Sequence, residues 1–314
     1  MANELVSIQV AQAIAKFVAA RVLPPLVGNL VMGNLVNRDF EPILAQAGDT
    51  VNVPIPPTMS ANNLAEAGTV TNQNPALGNA QIVLNTHAEA TFNIPDATRV
   101  LVVPDLIDTY MRPAVIAIAT KIESDLLNLY TLFTANTALG GATTFDEARL
   151  DSAEKVLFDS KVPPADPRVC VVSSSAYSAM RQLGRFSEWQ STGPAGQPSP
   201  IITGALAGGG NLQGIQGGTL KGMSIFRSQY VAITSSTTYH NLVFARDAMG
   251  LVIRRLPQPI PGTGAIAEYA ELGNFGVRVV MSYAPNTLAQ QFTVDCLYGV
   301  GVLRNNFAVD VQST

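Results

Sequence analysis

With 314 residues, the chain can bury a sizeable core in one large or two smaller domains. Asp, Glu, Lys and Arg supply only 13% of it and hydrophobic residues 47%, against about 25% charged residues in ordinary soluble domains, so its surface is either rich in Ser, Thr, Asn and Gln or buried against partners. A net charge of −4, with no cluster of Lys or Arg beyond Arg254–Arg255, excludes the electrostatic footprint of a nucleic-acid binder, and apolar stretches such as 114–119 are far short of the roughly 20 residues a transmembrane helix needs.

Residues 4–23 place Leu5, Ile8, Ala11, Ala15, Val18 and Val22 at helical spacing and stop at Pro24–Pro25, which predicts an amphipathic N-terminal arm. Glu4 stands where a secretion signal carries basic residues, and Gln9, Gln12 and Lys16 interrupt the apolar run, so the chain is expected to stay in the cytoplasm. Residues 48–56 alternate Val51, Val53 and Ile55 like a strand, with Pro54 and Pro56 marking an edge. A second strand is predicted over 82–94, with Leu84, Thr86, Ala88, Ala90, Phe92 and Ile94 on one face and Asn85, His87, Glu89, Thr91 and Asn93 on the other. The stretch between these strands is rich in Asn, Thr, Ala, Gly and Pro, and it exceeds the ~12–15 residues at which loops in compact domains become uncommon unless functional. Two strands and a long tip therefore predict an arm that reaches out to something.

The strongest helix is predicted over 104–133, where Ile107, Met111, Ala114, Ile118, Ile122, Leu126, Leu129 and Phe133 form one apolar stripe. Asp108, Arg112, Glu123 and Asn128 are expected largely away from that stripe, and Pro113 is expected to bend the helix. A further helix is predicted over 145–160 with Thr144 as its cap, then a strand at 168–175, a short helix at 176–183 and strands at 223–233 and 240–244. Strands close the chain from 275 onward, in the segments 275–284, 291–303 and 306–312. This order implies an α+β chain with a mixed sheet and helices packed on it.

No residue pattern points to catalysis, a cofactor or a metal. The two histidines, His87 and His240, lie in no HExxH spacing and beside no nucleophile motif; His87 is expected on the polar face of its strand and His240 at a strand end. Gly208, Gly209, Gly210, Gly214, Gly217 and Gly218 fit neither standard phosphate-binding motif, and a mobile loop or close backbone approach between subunits explains them better. Asp105/Asp108 and Glu123/Asp125 are expected on a solvated helix face, where Asp105 also complements the helix dipole. Cys170 and Cys296 lie in apolar strand-like contexts and read as buried thiols. Arg99, Arg112, Arg254, Arg255, Arg278 and Arg304 are suited as a set to bidentate subunit contacts.

The chain resembles the major capsid (coat) proteins of tailed bacteriophages, the Hong Kong 97-like fold, most closely those of short-tailed phages (podoviruses). The segments that carry the resemblance are GDTVNVPIP at 48–56, DLIDTYMRPAVIAIATKIESDLL at 105–127, NLVFARDAMGLVIRRLP at 241–257 and FGVRVVMSYAPNTLAQQFTVDCLYGVGVLR at 275–304. It implies an N-arm at 1–47, an extended E-loop at 48–98 lying over a neighbouring subunit, a P-domain of 99–142 and 268–303 around the long helix, and an A-domain of 143–267 and 304–314. It further implies a structural, non-enzymatic subunit without cofactors that assembles into hexamers and pentamers of an icosahedral head. That head would form in the host cytoplasm and enclose double-stranded DNA without sequence-specific binding. The partners implied are scaffolding protein, portal and a cement or decoration protein, with no membrane. Two family devices are missing: there is no room between 200 and 240 for an inserted domain, and no Lys between Lys16 and Lys121 for an isopeptide crosslink from the E-loop. An encapsulin-like compartment shares the fold and is the alternative. A hydrolase is disfavoured by the missing catalytic constellation, a sugar-binding protein by the 7% aromatic content and single Trp189, and a surface-layer protein by the missing signal.

Overall fold

The structure, a computed structural model, describes residues 31–40, 50–57, 59–64, 66, 68–97, 106–133, 144–164, 166–182, 218–220, 223–235, 237–260, 264–272 and 275–314. The helix expected at 4–23 and most of the glycine-rich run lie outside these residues, as do Arg99, Asp105 and Trp189.

The predicted long helix is present as α2, Leu106–Leu127, preceded in the chain by a single-turn helix α1, Met32–Leu35, and continued by a 3-10 turn over Asn128–Leu132. Twenty-two residues of α-helix at 1.5 Å each span about 33 Å, and the helix passes Pro113 without ending. Met111, Ala114, Ile118, Ile122, Leu126, Leu129 and Phe133 are all buried, as the stripe requires. The buried face is wider than that stripe, however, because Val115, Ala119, Glu123 and Leu127 form a second buried row beside it. Glu123 is therefore a correction: it is buried rather than solvated. A helix covered from two sides buries two rows where a surface helix buries one.

The arm strands are β1, Thr50–Ile55, and β2, Gly78–Val83, paired antiparallel from Thr50↔Val83 to Ile55↔Gly78. The single strand expected at 82–94 is in fact two: β2 gives way after Leu84–Asn85 to β3, Thr86–Pro95. The break marks a change of partner, since β2 bonds to β1 whereas β3 bonds to the C-terminal strand β12, Ala289–Val302. Alternation continues in phase across the break, with Ala80, Ile82, Leu84, Ala88 and Ile94 buried and Asn85, His87, Glu89, Thr91 and Asn93 exposed. Period-two patterning records which face is covered and is blind to which strand lies alongside.

Two larger sheets follow. One contains β10 (Ile266–Leu272), β11 (Phe275–Ala284), β12 and β3 in that order, with β9 (Met249–Arg254) also paired to β12, all antiparallel. The other has the order β13-β8-β4-β6-β5, formed by Ala308–Ser313, Thr238–Ala245, Arg168–Val172, Met223–Arg227 and Gly218–Leu220, with β7 (Ile233–Thr234) beside β8. Its β4/β6 pair is parallel and the others antiparallel, so this sheet is mixed, as expected. Helix α3, Glu147–Asp159, buries Leu150, Ala153 and Leu157; α4, Ser174–Gln182, buries Ala176 and Met180. The cap of α3 is Asp146, whose side chain accepts from Arg149 N, and not Thr144. The strand expected over 223–233 stops at Arg227; Ser228 still donates its backbone N–H to Val172 O, while its hydroxyl donates to Glu123.

One continuous core joins α2, both large sheets, α3 and α4. The arm has its own: Val51, Val53, Ala80, Ile82 and Leu84 pack with Val252 and Leu303 in a separate small cluster. Leu126 has no exposed surface, so Leu126→Asp places an unpaired charge in the main core, at a cost of several kcal/mol. The variant is expected to yield no soluble folded chain. Soluble expression with a wild-type circular dichroism spectrum would show that α2 does not hold the core together.

Candidate assembly surface

The arm presents two unlike faces. One is the small core just described; on the other, Asn79 Nδ2 and Gln81 Nε2 both donate to Asn52 Oδ1, at 3.1 and 3.0 Å. Pro54 fits in β1 because that strand has a partner on one side only. Beyond the strands the tip is exposed, and it carries Met59, Leu64, Val70 and Leu77 at 60–75% exposure. Ser60 and Gln73 tie its two limbs, with Ser60 N donating to Gln73 Oε1 at 3.0 Å and Gln73 Nε2 donating back to Ser60 O. These four large apolar side chains on one extended excursion stay exposed in the single subunit, and clustered exposed apolar surface is a mark of interaction sites.

At the base of the arm, Asp295 of β12 is buried and accepts from Arg278 Nε at 2.9 Å and from Arg278 Nη2, while His87 Nε2 of β3 lies 2.9 Å from its Oδ2. Arg278 also donates to Pro257 O, and the hydrogen bond to Asp295 raises its pKa. Tyr269 donates to Leu256 O under the Arg255 guanidinium, which sits 5.6 Å from its ring, and burial raises the phenol's pKa. This polar cluster ties β3, β10, β11, β12 and the segment after β9 together.

No family model and no curated protein matches the chain. Solved structures do. A chain of Mycobacterium phage Che8 superposes with a TM-score of 0.63 at 21% identity, covering 90% of each chain. The capsid of Ralstonia phage GP4 gives 0.54 at 13% identity over 88% of this chain and 85% of that one. The capsid of cyanophage P-SCSP1u gives 0.52 at 15% identity over 85% and 84%. The fold is a phage capsid fold.

Within this capsid fold several of the polar residues singled out by sequence make contacts inside the chain. Arg278 and Arg255 are held as described, and Arg304 lies 4.8 Å from the Phe307 ring. His87 is on the exposed face, as expected. His240 is not a strand-end residue: it sits inside β8, buried, with Nδ1 2.7 Å from Asp310 Oδ2 and Nε2 2.7 Å from Thr234 Oγ1. Tyr130, just past α2, stacks on its ring at 3.9 Å between centroids. These contacts pin β7, β8 and β13 to the end of the long helix, and burial raises the Asp310 pKa. Cys170 is buried, which pushes its thiol up to about 12 and makes it inert. Among the described residues, no group of three or more His, Cys, Asp and Glu could hold a metal ion.

The carboxylate pair on α2 divides. Asp125 accepts from Tyr298 Oη of β12 at 2.5 Å and from Lys121 Nζ at 3.3 Å. Glu123 accepts from Met32 N at 2.9 Å and from Ser228 Oγ at 3.0 Å, so one buried side chain joins α1, α2 and the loop after β6. The signal for its burial was present in the sequence: Ala119 and Leu127 stand four residues to either side, on the same face of the helix.

Burial raises the Glu123 pKa from 4.5 to about 7, against the lowering effect of its two hydrogen bonds. The folded chain thus binds this proton more tightly than the unfolded chain. Its contribution to stability is complete below pH 4.5 and is lost as pH rises through about 7. Glu123→Gln keeps an acceptor for Met32 N and cannot titrate. Relative to wild type, the variant is expected to gain on the order of 3 kcal/mol across that window, read from urea unfolding at a series of pH values. A difference that stays constant with pH would show that Glu123 does not titrate in the folded chain.

Proposed function

We propose that this chain is the major structural subunit of a tailed-phage head, assembling as hexamers and pentamers into a closed shell around double-stranded DNA. The observation that carries the reading is the capsid fold over about 90% of the chain, together with an arm whose exposed tip holds Met59, Leu64, Val70 and Leu77. In the proposed head, identical chains make heterologous contacts that close into rings. The tip of the arm lies on a neighbour, where its four apolar side chains are buried. The division into an N-arm (1–47), E-loop (48–98), P-domain (99–142 and 268–303) and A-domain (143–267 and 304–314) is supported by sheet membership: α2, β11 and β12 fall in the P-domain ranges, and β4 to β8 and β13 in the A-domain ranges. Strand β3 of the E-loop range and strand β9 of the A-domain range both pair with β12 and so join those two ranges to the P-domain. Scaffolding protein and portal are the proposed assembly partners, and a cement protein is proposed because no Lys lies between Lys16 and Lys121 for a covalent E-loop crosslink. The subunit is proposed to act through geometry alone, without chemistry of its own, in the virion capsid after assembly in the host cytoplasm.

Negative-stain electron microscopy of the purified chain, alone and with a candidate scaffolding protein, is expected to show closed particles or capsomer rings. A dispersed monomer under both conditions would overturn the shell reading. Removing part of the tip within 60–78 is expected to leave the monomer folded and the shells less resistant to heat; shells of normal yield and stability would remove the tip from the contact.

A further inference from the structure

Strand β2 does not merely sit near the sheet; it crosses it at backbone contact. In the β9/β12 pair, Gly301 and Gly250 are direct cross-strand partners, and Gly299 is opposite Val252 two residues along. The three glycines leave gaps on one sheet face beside the Val252 side chain, and the arm lies on it. A methyl group at Gly299 would stand 2.4 Å from Val83 O, 2.9 Å from Val83 C and 3.2 Å from Leu84 Cα. All three atoms are backbone, so no side-chain rotation relieves the clash. A methyl at Gly250 would meet the Ile82 Cδ1 end at 2.5 Å and Leu303 Cδ1 at 3.3 Å. Ile82 is fully buried, dropped into the hole over Gly250 and flanked by Val252 and Leu303.

The arm's own core is separate from the main one, so the attitude of the arm depends on this seat and on the link through Leu84–Asn85 into β3. Strands of six residues form a lever of roughly 20 Å, so a tilt of about 10° at the seat moves the far end by about 3 Å. Packed contacts between subunits do not tolerate such a displacement.

We propose that Gly250, Gly299 and Gly301 set the angle at which the arm leaves the subunit, and thereby which neighbour geometry the subunit accepts. The glycines are positioning residues: they act through the arm that lies on them. This rests on the shell reading given above, but the angle is a property of the single subunit and can be read without assembly.

The test uses the full chain with spin labels on Asn79→Cys, in the arm, and Phe158→Cys, on α3. Both positions are exposed and both native cysteines are buried. In the unassembled subunit, Gly299→Ala is expected to shift the mean label distance by about 3 Å while the circular dichroism spectrum stays that of wild type, and to give aberrant particles or none. Gly250→Ala is expected to produce a smaller shift, and adding Ile82→Val, which removes the Cδ1 atom that the new methyl meets, is expected to return both distance and particles to wild type. Unchanged distance and particles in Gly299→Ala overturn the proposal. So does a Gly250→Ala shift that Ile82→Val leaves in place, and this pair decides the matter if Gly299→Ala fails to fold. A wild-type chain that never assembles defeats the shell reading instead, and leaves the distance measurements to judge the seat separately.

Discussion

Strand β12 is the constraint on which the rest of the structure depends. Its fourteen residues pair with β11 through 289–295 and with β3 through 289–298, and then with β9 through 297–302. Residues 297 and 298 bond to β3 and β9 at once, so those two strands flank opposite sides. A single extended strand therefore holds the end of the arm, the closing hairpin and the entry from the mixed sheet in one register. Shifting it by one residue would turn every buried side chain outward. It would also move Asp295 away from Arg278 and His87, and Tyr298 away from Asp125.

The low charge content has two structural outlets. Part of the ionic complement is turned inward, where Glu123, Asp295 and Asp310 are buried and each is met by hydrogen-bonding groups. Buried polar groups of this kind fix which elements meet more than they add stability, since desolvation offsets much of the attraction. The other outlet is the exposed arm, whose described surface is mostly amide and aliphatic, with Glu66 as a charged exception. Neutral amides in register along Asn52, Asn79 and Gln81 satisfy one another on that face without a charge.

The two cores explain how one chain can be rigid and still reach outward. The main core joins α2 to both large sheets, whereas the arm core is a separate cluster that includes Val252 and Leu303 from outside the arm, with Phe40 and Leu297 packed against it. Close approach over Gly299 and Gly250 adds backbone contact to the side-chain packing by which the arm docks there. The closing glycines, 299 and 301, read in sequence only as part of a strand, and their use comes from β2 lying across them.

Much of the fold was legible because it is written in local spacing. The row from Met111 to Phe133, the alternation from Leu84 to Ile94 and the limits of β11 depend on how each residue faces a covered side, and period alone reports that. The burial of Glu123 was half legible, through Ala119 and Leu127, but a single carboxylate on a helix reads as solvated until its partners are known. What only the tertiary structure decided is partner choice. Asp310 lies 70 residues from His240, and Asp295 lies 208 from His87, and no local pattern ties residues so far apart. The same holds for the break between β2 and β3 and for the glycine seat, because hydrogen bonds between strands and close backbone crossings are made by groups that every residue carries alike.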